Sequence, residues 1–351
     1  MISLRQQNSD VLRRFRSLIT HVTLVTFLGM CISLLPVGKA PVLFAQQIST
    51  IPGSFVDVGF GTRPVAMGYA FVGLADDENA TYWNPAGLTK ADRFQVGLSQ
   101  LDHWGLVTYN YAAITVPSFG QNQVLGVAVI SSGDDMMSEL SVHAAYGFRV
   151  RFVSIGASIK YRSASFGKNT LSENSYLVFD PEEISIGMGQ QVTGNAFGLG
   201  LDLGVLVHIN ESIQIGMMAR DYKAPMQWSS SAVESSVYSA KGDYAEDLPM
   251  ELLFGVSGRI GDELTLVADY VPALENDRTT WVRAGFEKRL AKVLMIRGGT
   301  EQGINNLEDD KITLGTGLDI SIQQALRIKA DFTYVMDPIK DSQRFSFSIH
   351  F

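Results

Sequence analysis

The side chains with chemical potential in this chain are few and scattered. Beyond residue 45 the histidines are His103, His143, His208 and His350, and their spacing forms no cluster. The sequence also lacks HExxH, GxSxG and P-loop patterns, in which metal, nucleophile or phosphate chemistry depends on fixed spacing. We therefore predict no enzymatic activity, no cofactor and no metal site.

Charged residues that recur with a two-residue period are more informative. Each has the phase opposite to the apolar residues of its segment, because successive side chains of a strand point to opposite faces. An unpaired charge facing lipid would cost about 2 to 4 kcal/mol near the bilayer midplane. We expect these charges to face the interior of a barrel, as a salt-bridged lining rather than a selectivity path. They are Lys160, Arg162, Asp202, Arg220, Arg259, Asp269, Arg283, Glu287, Arg297, Asp319, Arg327, Lys329 and Asp331.

The strands that would position these charges alternate apolar and polar residues. In 153–162 and in 197–208 the apolar residues occupy the odd positions, and small or charged residues take most of the even ones. The same alternation ends the chain over 345–351. A wall with lipid outside and water or a plug inside shows this pattern. After the N-terminus, no apolar run reaches the ~18 residues that a membrane-spanning helix needs.

Counting such segments predicts an all-β fold, a fourteen-stranded antiparallel transmembrane β-barrel over 93–351. Short connectors at 210–211 and 261–262 alternate with longer ones, of which 163–195 and 222–249 are the longest. Short turns on the periplasmic side and long loops outside are typical of outer-membrane barrels. The predicted strands are 93–100, 106–116, 123–132, 140–148, 152–162, 196–208, 212–221, 250–260, 263–271, 280–289, 293–302, 311–321, 325–336 and 343–351.

For the second predicted strand, 106–116, the sequence does not show which alternate residues face the lipid. Tyr109 and Tyr111 compete with Ile114 and Val116 for the outer face, because the two pairs have opposite parity. The sequence leaves this choice open.

Residues 1–45 are predicted to be a signal peptide. Four arginines within the first sixteen residues precede an apolar stretch over 18–37, and Ala45 offers a small residue for cleavage. The only cysteine, Cys31, lies in this segment, so the mature chain would hold no disulfide and no cysteine metal site. The formal net charge is −8, and removal of the segment makes it more negative. This acidity argues against nucleic acid as a partner.

Residues 46–92 lack clear strand character and are expected to form a short N-terminal plug with helical turns. A turn is predicted at Asn84, Pro85, Ala86 and Gly87, where Asn-Pro favours turn initiation and glycine tolerates a left-handed conformation. We expect this turn to lock the plug. A barrel of this size has a lumen too wide for side chains alone to fill.

The N-terminal segment also carries a more specific pattern. It consists of Arg63, Met67, Gly68, Ala75, Asp76 and Asp77 together with the Asn84-to-Gly87 turn. Ahead of a barrel that ends in Phe, this pattern resembles the PorV/PorQ family of outer-membrane proteins, which is in turn similar to the fatty-acid transporter FadL. The resemblance implies fourteen strands, an N-terminal hatch and one of two functions. One is a scaffold for type IX secretion, and the other is a transporter of long-chain fatty acids or hydrocarbons.

We expect the scaffold function, with type IX secretion components or cargo bound through the outer loops. Aromatic and Met residues on polar loops suit protein contact, although they could also line a lipid-capture site. The loop candidates are Tyr176, Phe179, Met188, Trp228, Tyr238 and Tyr244. In the alternative, a transporter, a hydrophobic pocket would be built from Met67, Phe71, Tyr82 and Trp83.

The end of the chain bears on assembly and location. Phe351 closes an alternating strand and resembles the signal that the barrel-assembly machinery reads. We expect a monomeric barrel surrounded by lipid in the outer membrane of a Gram-negative-type bacterium. A soluble β-sandwich would not explain the N-terminal segment, the loop asymmetry and the terminal Phe together.

Overall fold

The computed structural model describes residues 58–117, 122–133, 137–167, 192–232, 241–275, 278–304, 310–322 and 326–351. The predicted signal peptide lies outside the described residues, as do the loop candidates Tyr176, Phe179, Met188 and Tyr238. Among the helices that are described, none has the length and apolar character needed to cross a membrane.

One antiparallel sheet follows a short helical segment. The helices are α1 (Thr62–Ala66), α2 (Ala80–Trp83) and the 3₁₀ helix η1 (Pro85–Lys90). The strands are β1 (Gln95–His103), β2 (Val107–Pro117), β3 (Gln123–Gly133), β4 (Met137–Val150), β5 (Val153–Phe166), β6 (Val192–His208), β7 (Ile213–Lys223), β8 (Pro225–Ala232), β9 (Lys241–Asp247), β10 (Glu251–Ile260), β11 (Leu264–Val271), β12 (Trp281–Arg289), β13 (Leu294–Gly303), β14 (Lys311–Ile322), β15 (Leu326–Met336) and β16 (Ser342–His350).

Fourteen of these sixteen strands close into a barrel. Sequential strands pair from β1 to β7 and from β10 to β16, while β10 pairs with β7 and β16 pairs with β1. Phe94 and Phe351 extend the closing seam with two backbone hydrogen bonds, of 3.0 and 2.9 Å. Closure pairs every strand of the wall on both sides, as a membrane barrel requires. The predicted fourteen-stranded barrel is confirmed.

The remaining two strands correct the prediction of a loop over 222–249. There β8 pairs with the first residues of β6, and β9 pairs with β8. The pairing also lengthens β6, which begins at Val192 within the predicted loop 163–195. A strand outside the lipid band needs no apolar phase, so the Ser-rich sequence of β8 lacks the alternation used to predict strands.

The wall separates a lipid face from a lumen face. In β5, Ile155 is 54% exposed whereas the neighbouring lumen residue Ser154 is fully buried. The predicted phases of β5, β6 and β16 are confirmed by this alternation. In β2, Tyr109 and Tyr111 face the lumen, which resolves the phase that the sequence leaves open. An exterior covered with exposed apolar side chains is a lipid-facing surface.

The two ends of the barrel differ. Connectors 151–152, 209–212 and 261–263 mark one end, here called the short-turn end, where the terminal Phe351 also lies. Connectors 272–280 and 337–341 mark the opposite end, here called the long-loop end.

Candidate functional site

Residues 58–92, here called the plug, lie against the inner wall of the barrel and touch it closely at a series of wall glycines. Where backbone or side-chain atoms of the plug approach the wall, the lumen residue is repeatedly glycine, and a Cβ there would collide with those atoms. So close an approach leaves no room for a water layer, so these glycines, the glycine belt, seal the plug to the wall. The belt comprises Gly97, Gly126, Gly147, Gly156, Gly204, Gly216, Gly255, Gly285, Gly299 and Gly315.

Polar side chains of the wall satisfy the irregular backbone of the plug. The Asp269 carboxylate accepts hydrogen bonds from the N–H groups of Phe71 and Val72, at 2.8 and 2.9 Å. Thr313 Oγ1 accepts from the Gly68 N–H and donates to the Ala66 carbonyl, both at 3.1 Å. Because buried backbone groups need partners, these contacts tie the plug backbone to the wall.

The predicted lock at Asn84 is a helix cap as well as a tie to the wall. Asn84 is fully buried, and its Oδ1 accepts from the Ala86 N–H at 3.1 Å, which caps η1. Its Nδ2 donates to the Val72 carbonyl at 2.9 Å and to the Val205 carbonyl of β6 at 3.4 Å. Pro85 follows at the first helical position, where its missing N–H costs no hydrogen bond.

The expected left-handed conformation of Gly87 is wrong. Gly87 lies within η1, and its φ is not in the positive range. Glycine is required there for another reason, since a Cβ would meet the Ala75 carbonyl oxygen of the neighbouring plug segment. The motif therefore acts through close packing rather than through a special turn.

The four residues predicted to form a hydrophobic pocket meet in one buried cluster. Met67, Phe71, Tyr82 and Trp83 are all buried and share an apolar core with Phe60. Tyr82 and Trp83 have ring centroids 5.5 Å apart, and those of Trp83 and Phe71 are 6.3 Å apart, both edge-on. Edge-to-face contacts are the favoured geometry for aromatic pairs. The Trp83 Nε1–H donates to the Phe60 carbonyl at 2.7 Å, which satisfies the indole.

A cavity of about 60 Å³ adjoins this cluster toward the long-loop end. We call it the loop-end cavity. Its aromatic wall is formed by Phe60, Tyr82 and Tyr109, and its polar wall includes His143 and Arg220. The Arg220 guanidinium lies 5.0 Å from the Tyr82 ring centroid, within cation–π range.

A bulge in β7 adds a carboxylate that sequence reasoning missed. The β6–β7 register shifts between Leu201 and Leu203, and Asp221 opposite this shift has a positive φ of 53°. Asp221 thereby binds Lys160 at 2.7 Å and Arg162 at 2.9 Å inside the barrel. Arg220 faces the lumen, so strict alternation along β7 would turn the next residue, Asp221, toward the lipid. Two consecutive charges in one strand were therefore the available signal of a bulge.

A second cavity, of about 270 Å³, lies near the short-turn end and is lined mainly by charged side chains. We call it the turn-end cavity. Arg63 at its margin binds Asp76, Asp77 and Glu287 at 2.5, 2.7 and 2.7 Å. Burial lowers the pKa of Arg63, but the neighbouring carboxylates more than compensate and hold that pKa well above its ordinary value. Arg297 continues the network, with Nε 2.6 Å from Glu287.

These ion pairs confirm the predicted salt-bridged lining. Lys160 also binds Asp202 at 2.7 Å, and Arg283 binds Glu301 at 2.6 Å. Arg259 differs from the other predicted lumen charges because it is exposed, near the end of β10 at the turn-end cavity.

The aromatic cluster connects the two cavities. Tyr82 lines the loop-end cavity, and the Trp83 and Phe71 rings come next in the row. The Arg63 guanidinium carbon lies 5.4 Å from the Phe71 ring centroid. Arg63 in turn lines the turn-end cavity. Aromatic side chains thus form a continuous row through the plug, with polar space at each end.

Two further contacts join the plug to the closing strand β16. Arg344 donates to the carbonyls of Val58 and Gly59 and to the Tyr69 hydroxyl. The Glu78 carboxylate lies 3.0 Å from His350 Nε2. Burial would raise the pKa of Glu78, but the hydrogen bond with His350 and the charge of Lys329 lower that pKa to about 2.

Two of the loop candidates, Trp228 and Tyr244, lie in the β8–β9 hairpin. Trp228 was expected to be exposed, but it lies in β8 and is 2% exposed. The hairpin packs Trp228 with Met226 and Ala196, and its Nε1–H donates to Glu246 at 2.7 Å. Tyr244 lies on β9 in register with Trp228. The terminal Phe351 is exposed, and its role as an assembly signal stays a prediction.

The fold is similar to those of several solved outer-membrane proteins. The CymD monoaromatic hydrocarbon channel has 16% sequence identity and a TM-score of 0.56, over 84% of this chain and 97% of CymD. The Pseudomonas putida toluene transporter TodX has 12% identity and a TM-score of 0.55, over 83% of this chain and 97% of TodX. A Pseudomonas aeruginosa FadL homologue has 11% identity and a TM-score of 0.56, over 83% and 98%.

These similarities support a FadL-like barrel fold. No protein-family model matches the sequence. No curated protein matches it. The fold and the apolar exterior confirm the predicted outer-membrane location. CymD is described as a channel and TodX as a transporter.

Proposed function

We propose that this barrel is an outer-membrane channel for small apolar molecules, and for single-ring aromatic compounds in particular. The row of rings through the plug, from Tyr82 through Trp83 to Phe71, carries the proposal. Aromatic ligands make favourable edge and offset contacts with such rings. The names of CymD and TodX, a monoaromatic hydrocarbon channel and a toluene transporter, support the same ligand class.

Side chains of the plug must move for a ligand to pass. The loop-end cavity of about 60 Å³ is smaller than the ~150 Å³ of an engineered cavity that binds benzene. The glycine belt and Asp269 hold the plug backbone, so rotation of the Tyr82 and Trp83 rings is the smaller change. Ligand entry therefore widens the cavity at its aromatic wall.

Uptake of labelled toluene by a Gram-negative host tests the proposal. Cells with the wild-type barrel should take up toluene faster than empty-vector cells. Phe71→Ser and Trp83→Ser should reduce uptake toward the vector rate, because each places a polar group in the row of rings. Phe197→Ser, on the lipid-facing side of β6, is the matched control and should leave uptake unchanged.

Each variant should be compared at equal amounts of folded, heat-modifiable barrel. Wild-type uptake at the vector rate would contradict the channel, and unchanged uptake in both plug variants would contradict the route. Co-purification of an apolar ligand with the wild-type barrel would support both.

A second candidate function is a scaffold that binds protein partners, as in the PorV/PorQ type. The observation that favours it is β9, whose second edge pairs with no other strand in the described part of the chain. An extended segment of a partner could add to this edge through main-chain hydrogen bonds. The narrower assignment to type IX secretion rests on the plug motif alone.

Replacing the hairpin over 225–247 with a short turn tests this candidate. If the protein is a scaffold, a secretion component or cargo protein should co-purify with the wild type under gentle extraction but not with the variant. Toluene uptake should equal the vector rate for both proteins. Recovery of the same partner without the hairpin would contradict binding at β9.

A further inference from the structure

His143 lines the loop-end cavity and holds a buried hydrogen-bonding atom that has no partner in the described part of the chain. The side chain is 2% exposed and lines this cavity from β4. Its Nε2 lies 3.0 Å from Ser141 Oγ, whereas its Nδ1 has no hydrogen-bond partner within the residues that the structure describes. Buried polar atoms in folded proteins nearly always have a partner. A ligand group that reached Nδ1 would supply the missing one.

The charges around His143 do not call for an ionic ligand. Lys160 binds Asp202 and Asp221, and Arg162 binds Asp221 through two hydrogen bonds of 2.9 and 3.1 Å. A charged ligand would have to compete with these short, buried pairs, and separating buried ion pairs is strongly unfavourable. An uncharged hydrogen-bonding group meets no such competition.

The same cavity offers an aromatic wall next to Nδ1. The His143 and Tyr82 rings have centroids 5.9 Å apart, and the Phe60 ring lies edge-on to Tyr82 at 5.2 Å. A ligand ring that packed against Tyr82 and Phe60 would therefore place a ring substituent near His143. The cavity of about 60 Å³ holds about two water molecules, which is room for a hydroxyl and the adjoining ring edge before Tyr82 moves.

We infer that the loop-end cavity selects single-ring aromatic molecules that carry an uncharged hydroxyl group, with phenol as the simplest member. The ring packs on Phe60 and Tyr82, and the hydroxyl forms a hydrogen bond with His143 Nδ1. This inference rests on the proposed channel function and adds the ligand's polar group to it.

Uptake of phenol relative to toluene tests the inference, because the two ligands differ by a hydroxyl in place of a methyl group. The wild-type barrel should favour phenol over toluene, relative to empty-vector cells. His143→Leu should lower the phenol-to-toluene ratio by roughly 3- to 10-fold, the effect of one net hydrogen bond. His143→Asn keeps a hydrogen-bonding side chain and should retain most of the preference.

His208→Leu is the matched control. His208 bonds Ser154 at 3.1 Å near the short-turn end, on the other side of the plug, so its loss should not change the ratio. An unchanged ratio in His143→Leu, at equal amounts of heat-modifiable barrel, would overturn the inference. Toluene uptake with no phenol preference in the wild type would overturn it too, and leave the channel standing. If neither phenol nor toluene enters faster than it enters empty-vector cells, both the proposed channel function and this inference are contradicted.

Discussion

Replacing Asn84 with alanine should release the plug from the barrel wall. The side chain is fully buried and makes three hydrogen bonds. They reach the Ala86 N–H at 3.1 Å, the Val72 carbonyl at 2.9 Å and the Val205 carbonyl at 3.4 Å. The first two hold η1 and the plug chain together, and the third ties them to β6.

The magnitude follows from the groups that alanine leaves without partners. The Ala86 N–H and the Val72 carbonyl would both be buried and unpaired, and each such group costs roughly 1 to 3 kcal/mol. Together they should destabilise the docked plug by roughly 2 to 6 kcal/mol, which multiplies the open population at least about thirtyfold. Asn84→Asp keeps the oxygen that accepts from Ala86, but it turns a second buried oxygen toward the Val72 carbonyl, so it should open the plug at least as much as Asn84→Ala.

Single-channel conductance in planar bilayers measures this population. The wild type should be nearly closed, because the glycine belt seals the lumen, and Asn84→Ala should open frequently. Asn110→Ala is the matched control, since Asn110 is exposed on the outer face and its side chain accepts a hydrogen bond from Gln100, which is exposed as well. A wild type that already conducts freely, or an Asn84→Ala barrel as closed as the wild type, would refute the reasoning.

Phe351→Ser should lower the amount of heat-modifiable barrel in the outer membrane, because it removes the exposed terminal aromatic; normal yields would contradict an assembly signal. His350 is not a neutral comparison, since it bonds Glu78. In the folded state the pKa of Glu78 is about 2, below its ordinary value of 4.5. The ionised Glu78 carboxylate therefore stabilises the protein above pH 4.5. That contribution should be lost as the pH falls from 4.5 toward 2. Chemical unfolding should show this loss, and an equal loss in Glu78→Gln would exclude Glu78 as its source. A tag in 222–249 should be labelled on intact cells and a tag at 210–211 should not; the reverse pattern would invert the orientation.

The barrel strands could be predicted because the bilayer imposes a rule on them. Lipid on one face and a polar lumen on the other require apolar residues at every second position, as in β5 and β6. The same rule placed Lys160 and Arg297 inside the barrel, where both form ion pairs. The four plug residues named from the sequence as a possible hydrophobic pocket lie together in the aromatic cluster.

Other features lie beyond that rule. The β8–β9 hairpin has no lipid face, so it buries Trp228 by contacts that alternation does not reveal. The phase of β2 depends on Phe60 of the plug, which stacks on Tyr111 at 5.9 Å across a long stretch of sequence. Gly87 and the glycine belt are fixed by how closely two backbones approach, a distance that no local pattern encodes. The bulge that turns Asp221 inward is likewise a tertiary feature.

The location of a bound aromatic ligand tests the central claim most directly. Crystals of the purified barrel soaked in bromobenzene would show the ligand through the anomalous scattering of bromine. We expect a bromine peak inside the barrel at the loop-end cavity, beside Tyr82 and Trp83, with the Tyr82 ring displaced from its position against Phe60. Bromine peaks confined to the lipid-facing outer wall, with the plug rings unmoved, would contradict a channel for small aromatic molecules.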